Sequence, residues 1–294
     1  MQVGVAGTGR MGTAIANRLM SRGHSLAVWN RSAPKAAPLV ESGAALAPTA
    51  SELARRCEFV ITILTDARAL ADTYDGPVGL LAADVRGKLF IEMSTVRPES
   101  ERALAERARA KGACFVECPV GGSVGPAREG KLFGFAGGEA SDVERARAVL
   151  GELCRRIEHV GPVGAGASVK LAINLPLLVY YQALGEALAL VRPLGLDPAR
   201  LMDIFSDTSG APAMLKIRAP ALASQLAGKE VPPTVNVDTI RKDLRTMIEE
   251  AQSLGARLPL AEQALQCYDA ASRAGLGASD CTRLPAHWAA SPRP

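Results

Sequence analysis

Two short segments of the 294-residue sequence hold residues whose types and spacing could do chemistry. The first is Gly7-Thr8-Gly9-Arg10-Met11-Gly12, between an apolar run and a helix-period stretch. In such a G-x-G-x-x-G loop the first glycine allows the tight turn. The second lets the backbone approach a pyrophosphate, and the third lets helix and strand pack closely. The helix N-terminus that follows offers N–H groups and a positive dipole to phosphates. A lone motif is weak evidence, but this one stands in the strand–helix context that dinucleotide binding requires. The second segment is Lys170-Leu171-Ala172-Ile173-Asn174. On a helix, Lys170 and Asn174 are neighbours, four residues apart. The surrounding stretch is apolar nearly all round, as a central helix is. Burial would lower a lysine's pKa towards a range useful for proton transfer. A lysine at a frayed helix start would instead snorkel to water. These residues alone leave both readings open.

The end of the second strand pattern bears on which nucleotide fits. A site that prefers NAD places Asp or Glu there for the ribose 2′-hydroxyl. Here the chain reads Asn30-Arg31-Ser32, with Lys35 one helical turn on. Two cations and a hydroxyl without a carboxylate suit a 2′-phosphate, so NADP is expected over NAD. The alternative is that Arg31 stacks on the adenine of NAD.

The elements that must position these groups follow from periodicity. Strands are expected at 2–6, 25–29, 59–64, 88–93 and 114–118, with helices at 11–22, 33–42, 49–56 and 98–111. That alternation predicts an α/β domain with a doubly wound parallel sheet. A further strand pair, 132–136 and 156–160, flanks a helix at 141–153 and would close the sheet. From residue 167 the pattern is helical, with breaks near 193–197, 209–212, 228–233 and 255–259. The boundary is placed at 162, giving a nucleotide-binding domain over 1–162 and an all-α domain over 163–294. The final Ser-Pro-Arg-Pro is expected to fray.

Composition excludes several classes. A net charge of +4 over this length is too mild for nucleic-acid binding, and the arginine-rich stretches 101–111 and 142–156 alternate with Glu and Ala as solvated helix faces do. The most apolar stretch, 171–191, is interrupted by Asn174, Pro176, Gln182 and Glu186, short of the ~20 apolar residues of a membrane span. So apolar a helix is expected to be covered by a neighbouring domain or subunit. The N-terminus starts on a strand without a basic, then apolar leader. The six cysteines, at 57, 114, 118, 154, 267 and 281, have no CxxC spacing and read as small buried hydrophobes in a reducing cytoplasm. No metal site is indicated. Of 34 basic residues, 26 are Arg and eight are Lys, so each retained lysine invites inspection. Arginine cannot release a proton at working pH.

Several motifs in order extend these readings. They are the Gly7–Gly12 loop with its Met11, Glu92-Met93-Ser94-Thr95-Val96-Arg97-Pro98, and Cys118-Pro119-Val120-Gly121-Gly122-Ser123 with Gly125, Ala127 and Gly130. Gly166-Ala167-Ser168-Val169-Lys170 with Asn174, and Lys242-Asp243-Leu244, complete the set. Over nearly the whole chain they resemble the β-hydroxyacid dehydrogenase family, which includes 3-hydroxyisobutyrate dehydrogenases, tartronate semialdehyde reductases and glyoxylate/succinic semialdehyde reductases. The matching patterns are GxGxMG, D-x-S-T-x-x-P, A-P-V-S-G-G-x-x-G-A-x-x-G, G-x-x-x-K-x-x-x-N and K-D-L. The resemblance implies a Rossmann-type sheet domain and an all-helical domain for substrate and for homodimer or homotetramer formation. It implies Lys170 as general acid in aldehyde reduction, and as base in the reverse direction. Asn174 would align lysine and substrate oxygen, and Gly121, Gly122 and Ser123 would bind a small carboxylic acid substrate. Thr95 would stand beside the nicotinamide, and Lys242 near cofactor and substrate. One departure is plain: the family has Ser-Gly-Gly where this chain has Gly121-Gly122-Ser123, so the hydroxyl lies two residues along. The His and Glu that 6-phosphogluconate dehydrogenases carry after the lysine are missing. Imine reductases generally replace that lysine, and non-catalytic NADP(H)-binding modules on this architecture can lose it; both stand as alternatives.

Overall fold

In the computed structural model, residues 1–290 are described, so the expected fraying of 291–294 lies outside the described residues. The chain divides into two compact units, one over Met1–Leu171 and one from Ala172 onward. The first contains β1 (Gln2–Ala6), α1 (Arg10–Ser21), β2 (Ser25–Trp29), α2 (Ala37–Glu41), β3 (Ala45–Leu46), α3 (Ala50–Arg56) and β4 (Phe59–Thr62). It continues through α4 (Ala67–Asp75), β5 (Leu89–Glu92), α5 (Pro98–Ala110), β6 (Cys114–Glu117), β7 (Val120–Gly121) and α6 (Val124–Glu129). Next come β8 (Leu132–Gly138), α7 (Ala140–Leu153), β9 (Cys154–Gly161) and the start of α8 (Ala165–Val191).

The sheet order is β3-β2-β1-β4-β5-β6-β8-β7, with β9 on β8. From β3 to β6 every pairing is parallel, as alternation of strands and helices dictates. The expected parallel sheet ends there. β8 runs antiparallel to β6 and to β7, and β9 runs parallel to β8. Periodicity cannot tell these directions apart, because side chains alternate with period two in both.

Alternation divides the apolar residues between two faces. Val3, Val5, Ile61, Ile91 and Val116 pack under α1 and α7, with Ile15, Leu19, Val149 and Leu153. Val60, Phe90 and Phe115 face the other way, against Leu53, Leu70, Leu104 and Ala108 of α3, α4 and α5. Along a parallel sheet the strands end together, so the loops after β1, β2, β4, β5 and β6 gather at one edge. Ligands bind at that edge in open α/β sheets.

The second unit holds the rest of α8, then α9 (Pro198–Ser206), α10 (Ala213–Leu226), α11 (Val237–Ser253), α12 (Pro259–Ala271) and α13 (Arg283–Ala290). Leu184, Leu188, Met202, Leu215 and Leu222 form one of its cores. Buried Asp280 accepts from Arg218 and Thr282, tying α10 to the segment before α13. By length and composition alone, α8 is apolar enough to cross a bilayer. It nevertheless buries Leu178, Tyr181, Leu184 and Leu188 at helical spacing and carries a Gln182–Glu186 hydrogen bond of 2.9 Å. Ile173 and Leu190 stay 49% and 82% exposed, so the expected cover over this helix is incomplete within one chain.

The compact units part at Leu171, later than the expected 162. The reason lies in how α8 begins, described next.

Candidate functional site

The glycine loop after β1 is shaped by backbone contacts. Gly7 has φ +100°, and a Cβ there would meet the Ile63 carbonyl oxygen at 2.3 Å. A Cβ on Gly12 would lie 1.8 Å from the Gly7 carbonyl oxygen. Both glycines are required by the fold itself. Gly9 differs: a Cβ there would meet nothing within 4 Å, although its helix α1 has no side-chain cap and no acidic residue in its first turn. Its bareness leaves open space beside an uncapped helix N-terminus, which fits a phosphate group. Next to it, the buried hydroxyl of Thr8 has no hydrogen-bond partner among the described residues.

The expected ribose-end residues sit at the tip of β2. Asn30 is spent on the loop: its Oδ1 accepts the Thr8 N–H at 3.1 Å and its Nδ2 donates to the Ser32 carbonyl at 3.0 Å. It therefore ties the two strand ends together. Arg31, Ser32 and Lys35 are exposed on the turn that follows, as is Arg10 at the start of α1, while Met11 leans on the core. On the adjacent strand ends, the Leu64 N–H donates to Ser94 Oγ at 2.8 Å. Thr95, next to buried Ser94, is partly exposed at the same edge.

Beyond β6, Gly122 takes φ +118°, and a Cβ there would lie 2.9 Å from Leu132 Cδ2. Gly121 is unconstrained, since its nearest contact would be 3.7 Å, to the Phe135 ring. Ser123 is partly exposed, and its hydroxyl does not cap α6. A Cβ on Gly166 would strike the Phe135 carbonyl oxygen at 2.3 Å, so α8 starts pressed against the strand that pairs with Gly121.

Three buried carboxyls lie beneath this region, of which only Glu92 was named from the sequence, as part of a motif. Glu92 and Glu117 are register partners at the ends of β5 and β6, on the face of Phe90 and Phe115, and Glu101 comes from α5. All three are fully buried. Both Glu92 oxygens accept the Ser94 N–H, at 2.9 and 3.0 Å, which shapes the turn before Thr95. Burial raises the Glu92 carboxyl, and burial beside Glu92 holds Glu101 well above the usual carboxylate range. Glu117 accepts from Gly164 N at 2.5 Å, Gly166 N at 2.8 Å and Ala167 N at 3.3 Å. Burial pushes its carboxyl up to about 7 against the pull of those donors. The signal was present: Phe-Ile-Glu and Phe-Val-Glu end adjacent strands, with acids where the pattern calls for apolar residues.

Those contacts seat the first turns of α8 in the first unit, which is why the units part at Leu171. Lys170, on the second turn, is only 8% exposed. That burial weighs against the frayed, snorkelling alternative. Asn174 follows one turn on and is partly exposed. Lys242 lies on α11 of the second unit, paired with buried Asp243. All six cysteines are free thiols, and burial pushes Cys57 up to about 11, so it is no nucleophile.

The comparisons with known proteins agree with this geometry. The family described as the NAD binding domain of 6-phosphogluconate dehydrogenase matches residues 2–161. The one described as the NAD-binding of NADP-dependent 3-hydroxyisobutyrate dehydrogenase matches residues 164–287. The chain is 31% identical to glyoxylate/succinic semialdehyde reductase 1 of Arabidopsis thaliana, over 95% of its own length and 96% of the relative's. It is 35% identical to a 3-hydroxyisobutyrate dehydrogenase of Pseudomonas aeruginosa, over 86% of each. A crystal structure of 3-hydroxyisobutyrate dehydrogenase from Salmonella typhimurium superposes with a TM-score of 0.87 at 25% identity, covering 97% of this chain and 99% of that one. With the glycine loop, the buried lysine, family matches over residues 2–161 and 164–287, and relatives above 30% identity over most of the chain, the chain belongs to the β-hydroxyacid dehydrogenase family.

Proposed function

We propose that the protein is an NADP-preferring oxidoreductase that interconverts a small β-hydroxyacid and its semialdehyde, with Lys170 as general acid/base. The observation that carries this reading is a lysine only 8% exposed on the helix seated at the strand-end edge that bears the glycine loop. A bound nicotinamide cofactor supplies or takes the hydride at its ring. Gly7, Gly9 and Gly12 would hold its pyrophosphate, and Arg31, Ser32 and Lys35 the ribose phosphate. In the reductive direction Lys170 delivers a proton to the carbonyl oxygen as negative charge develops there, and in the oxidative direction it removes the hydroxyl proton. Asn174 holds that oxygen in line, and Lys242 supports the cofactor and substrate acid. Retention of Lys170 favours this reading over an imine reductase or a binding module. The exposed apolar residues Ile173 and Leu190 on α8 support a homodimer or homotetramer.

Cofactor preference is tested by kcat/KM with NADPH and NADH. The expected ratio favours NADPH at least tenfold, about one charge-assisted contact, and Arg31→Ala narrows it. An NADH preference would overturn the assignment.

The shifted hydroxyl gives a second test. Gly121→Ser fits without strain, because its φ is ordinary and its Cβ contacts are 3.7 Å or longer. A serine there adds a hydrogen bond to a substrate carboxylate, and KM for an acid semialdehyde is expected to fall about tenfold. An unchanged KM would mean that this position does not face the carboxylate.

A further inference from the structure

Helix α8 has no capping side chain of its own. Its preceding sequence, Gly161-Pro162-Val163-Gly164, supplies no Ser, Thr, Asp or Asn to its first N–H groups. The acceptor comes instead from a neighbouring strand: Glu117 takes the N–H groups of Gly164, Gly166 and Ala167. Two glycines keep the space for it. A Cβ on Gly137 would lie 2.3 Å from Glu117 Oε1, and one on Gly166 would lie 3.3 Å from the same oxygen. Gly166 and Ala167 are one turn before Lys170 on the same helix face.

We propose that Glu117 is a positioning residue for Lys170, its carboxylate fixing the helix turn that presents the lysine. The proposal rests on the reading of Lys170 as the proton donor. A carboxylate holding three N–H groups on the preceding turn fixes both the rotation and the rise of that turn. A small misplacement of a proton donor can lower a rate about 10²-fold. Glu92 and Glu101 face the same space from β5 and α5, and Arg102 of α5 packs over Gly164, its Nη1 2.5 Å from where a Cβ would lie.

The test compares Glu117→Ala, Glu117→Gln and Gly137→Ala with wild type at about pH 8, above the value of about 7 to which burial pushes the Glu117 carboxyl. Rates with NADPH and succinic semialdehyde or glyoxylate are expressed per NADPH-binding site, and amide exchange is followed over residues 162–171. Glu117→Ala is expected to lower kcat about 10²-fold, to leave KM for NADPH within about threefold, and to speed exchange at Gly166 and Ala167 at least about tenfold. Glu117→Gln keeps Oε1 for Gly164 and Gly166 and loses only the longest contact, so it stays within about fivefold of wild type. Gly137→Ala, which displaces the carboxylate without removing it, behaves like Glu117→Ala and decides the matter if that variant does not fold. Wild-type kcat per site in Glu117→Ala, or unchanged exchange at those amides, overturns the proposal. Activity retained in Lys170→Ala would instead count against the reading of Lys170, and the exchange data would still decide whether Glu117 anchors the turn.

Discussion

Lys170→Ala is expected to lower kcat by about 10³-fold, the scale of a lost general acid, while NADPH affinity stays within about threefold. The separation follows from where the groups sit. The glycine loop lies before α1, and Lys170 belongs to α8. Alanine removes the proton donor and leaves the nucleotide loop intact. Lys170→Arg separates charge from proton transfer. Arginine keeps the positive charge but cannot release its proton at working pH, so it is expected to be nearly as inactive as alanine. If charge alone mattered, Arg would restore the rate. Steady-state kinetics alongside NADPH binding by fluorescence would decide, and a kcat near wild type in either variant would remove Lys170 from the chemistry.

Gly9→Ala and Gly12→Ala are expected to fail in different ways. At Gly12 the new Cβ would lie 1.8 Å from the Gly7 carbonyl oxygen, so the loop and helix must separate whether or not a ligand is present. Overpacking of that kind costs about 3 kcal/mol or more, and a fall of roughly 5 °C or more in Tm is expected without cofactor. At Gly9 the Cβ meets nothing within 4 Å. That variant is expected to keep the Tm of the free protein and to bind NADPH at least about tenfold more weakly, as a group lodged where the pyrophosphate must approach. Thermal melts with and without NADPH, plus a binding titration, separate the cases. Equal NADPH affinity in Gly9→Ala and wild type would show that the open space is not a phosphate site.

Much of this was readable in advance, for identifiable reasons. β1 and β2 match their expected limits because short apolar runs between turn residues leave little freedom in register. The glycine loop was legible because two of its three glycines are dictated by backbone clashes that any chain would feel. The direction of β8 was not legible, since hydrophobic alternation is the same for either orientation. Helix α6 went unread because its six residues include Gly125 and Pro126, which read as a turn rather than as a helix start. Glu117 escaped notice because its partners lie more than forty residues away, at Gly164, Gly166 and Ala167, and long-range capping leaves no local pattern. That same contact moved the boundary between the units into α8, where a helix-period reading sees no break.

This chain is expected to turn over a nicotinamide cofactor with a small acid semialdehyde. Steady-state oxidation of NADPH by purified protein, screened over glyoxylate, succinic, methylmalonate and tartronate semialdehydes, tests it most directly. Saturable, Lys170-dependent turnover with at least one of them, faster with NADPH than with NADH, is the predicted result. Tight NADPH binding without oxidation by any of the four would contradict the account and leave a binding module in its place.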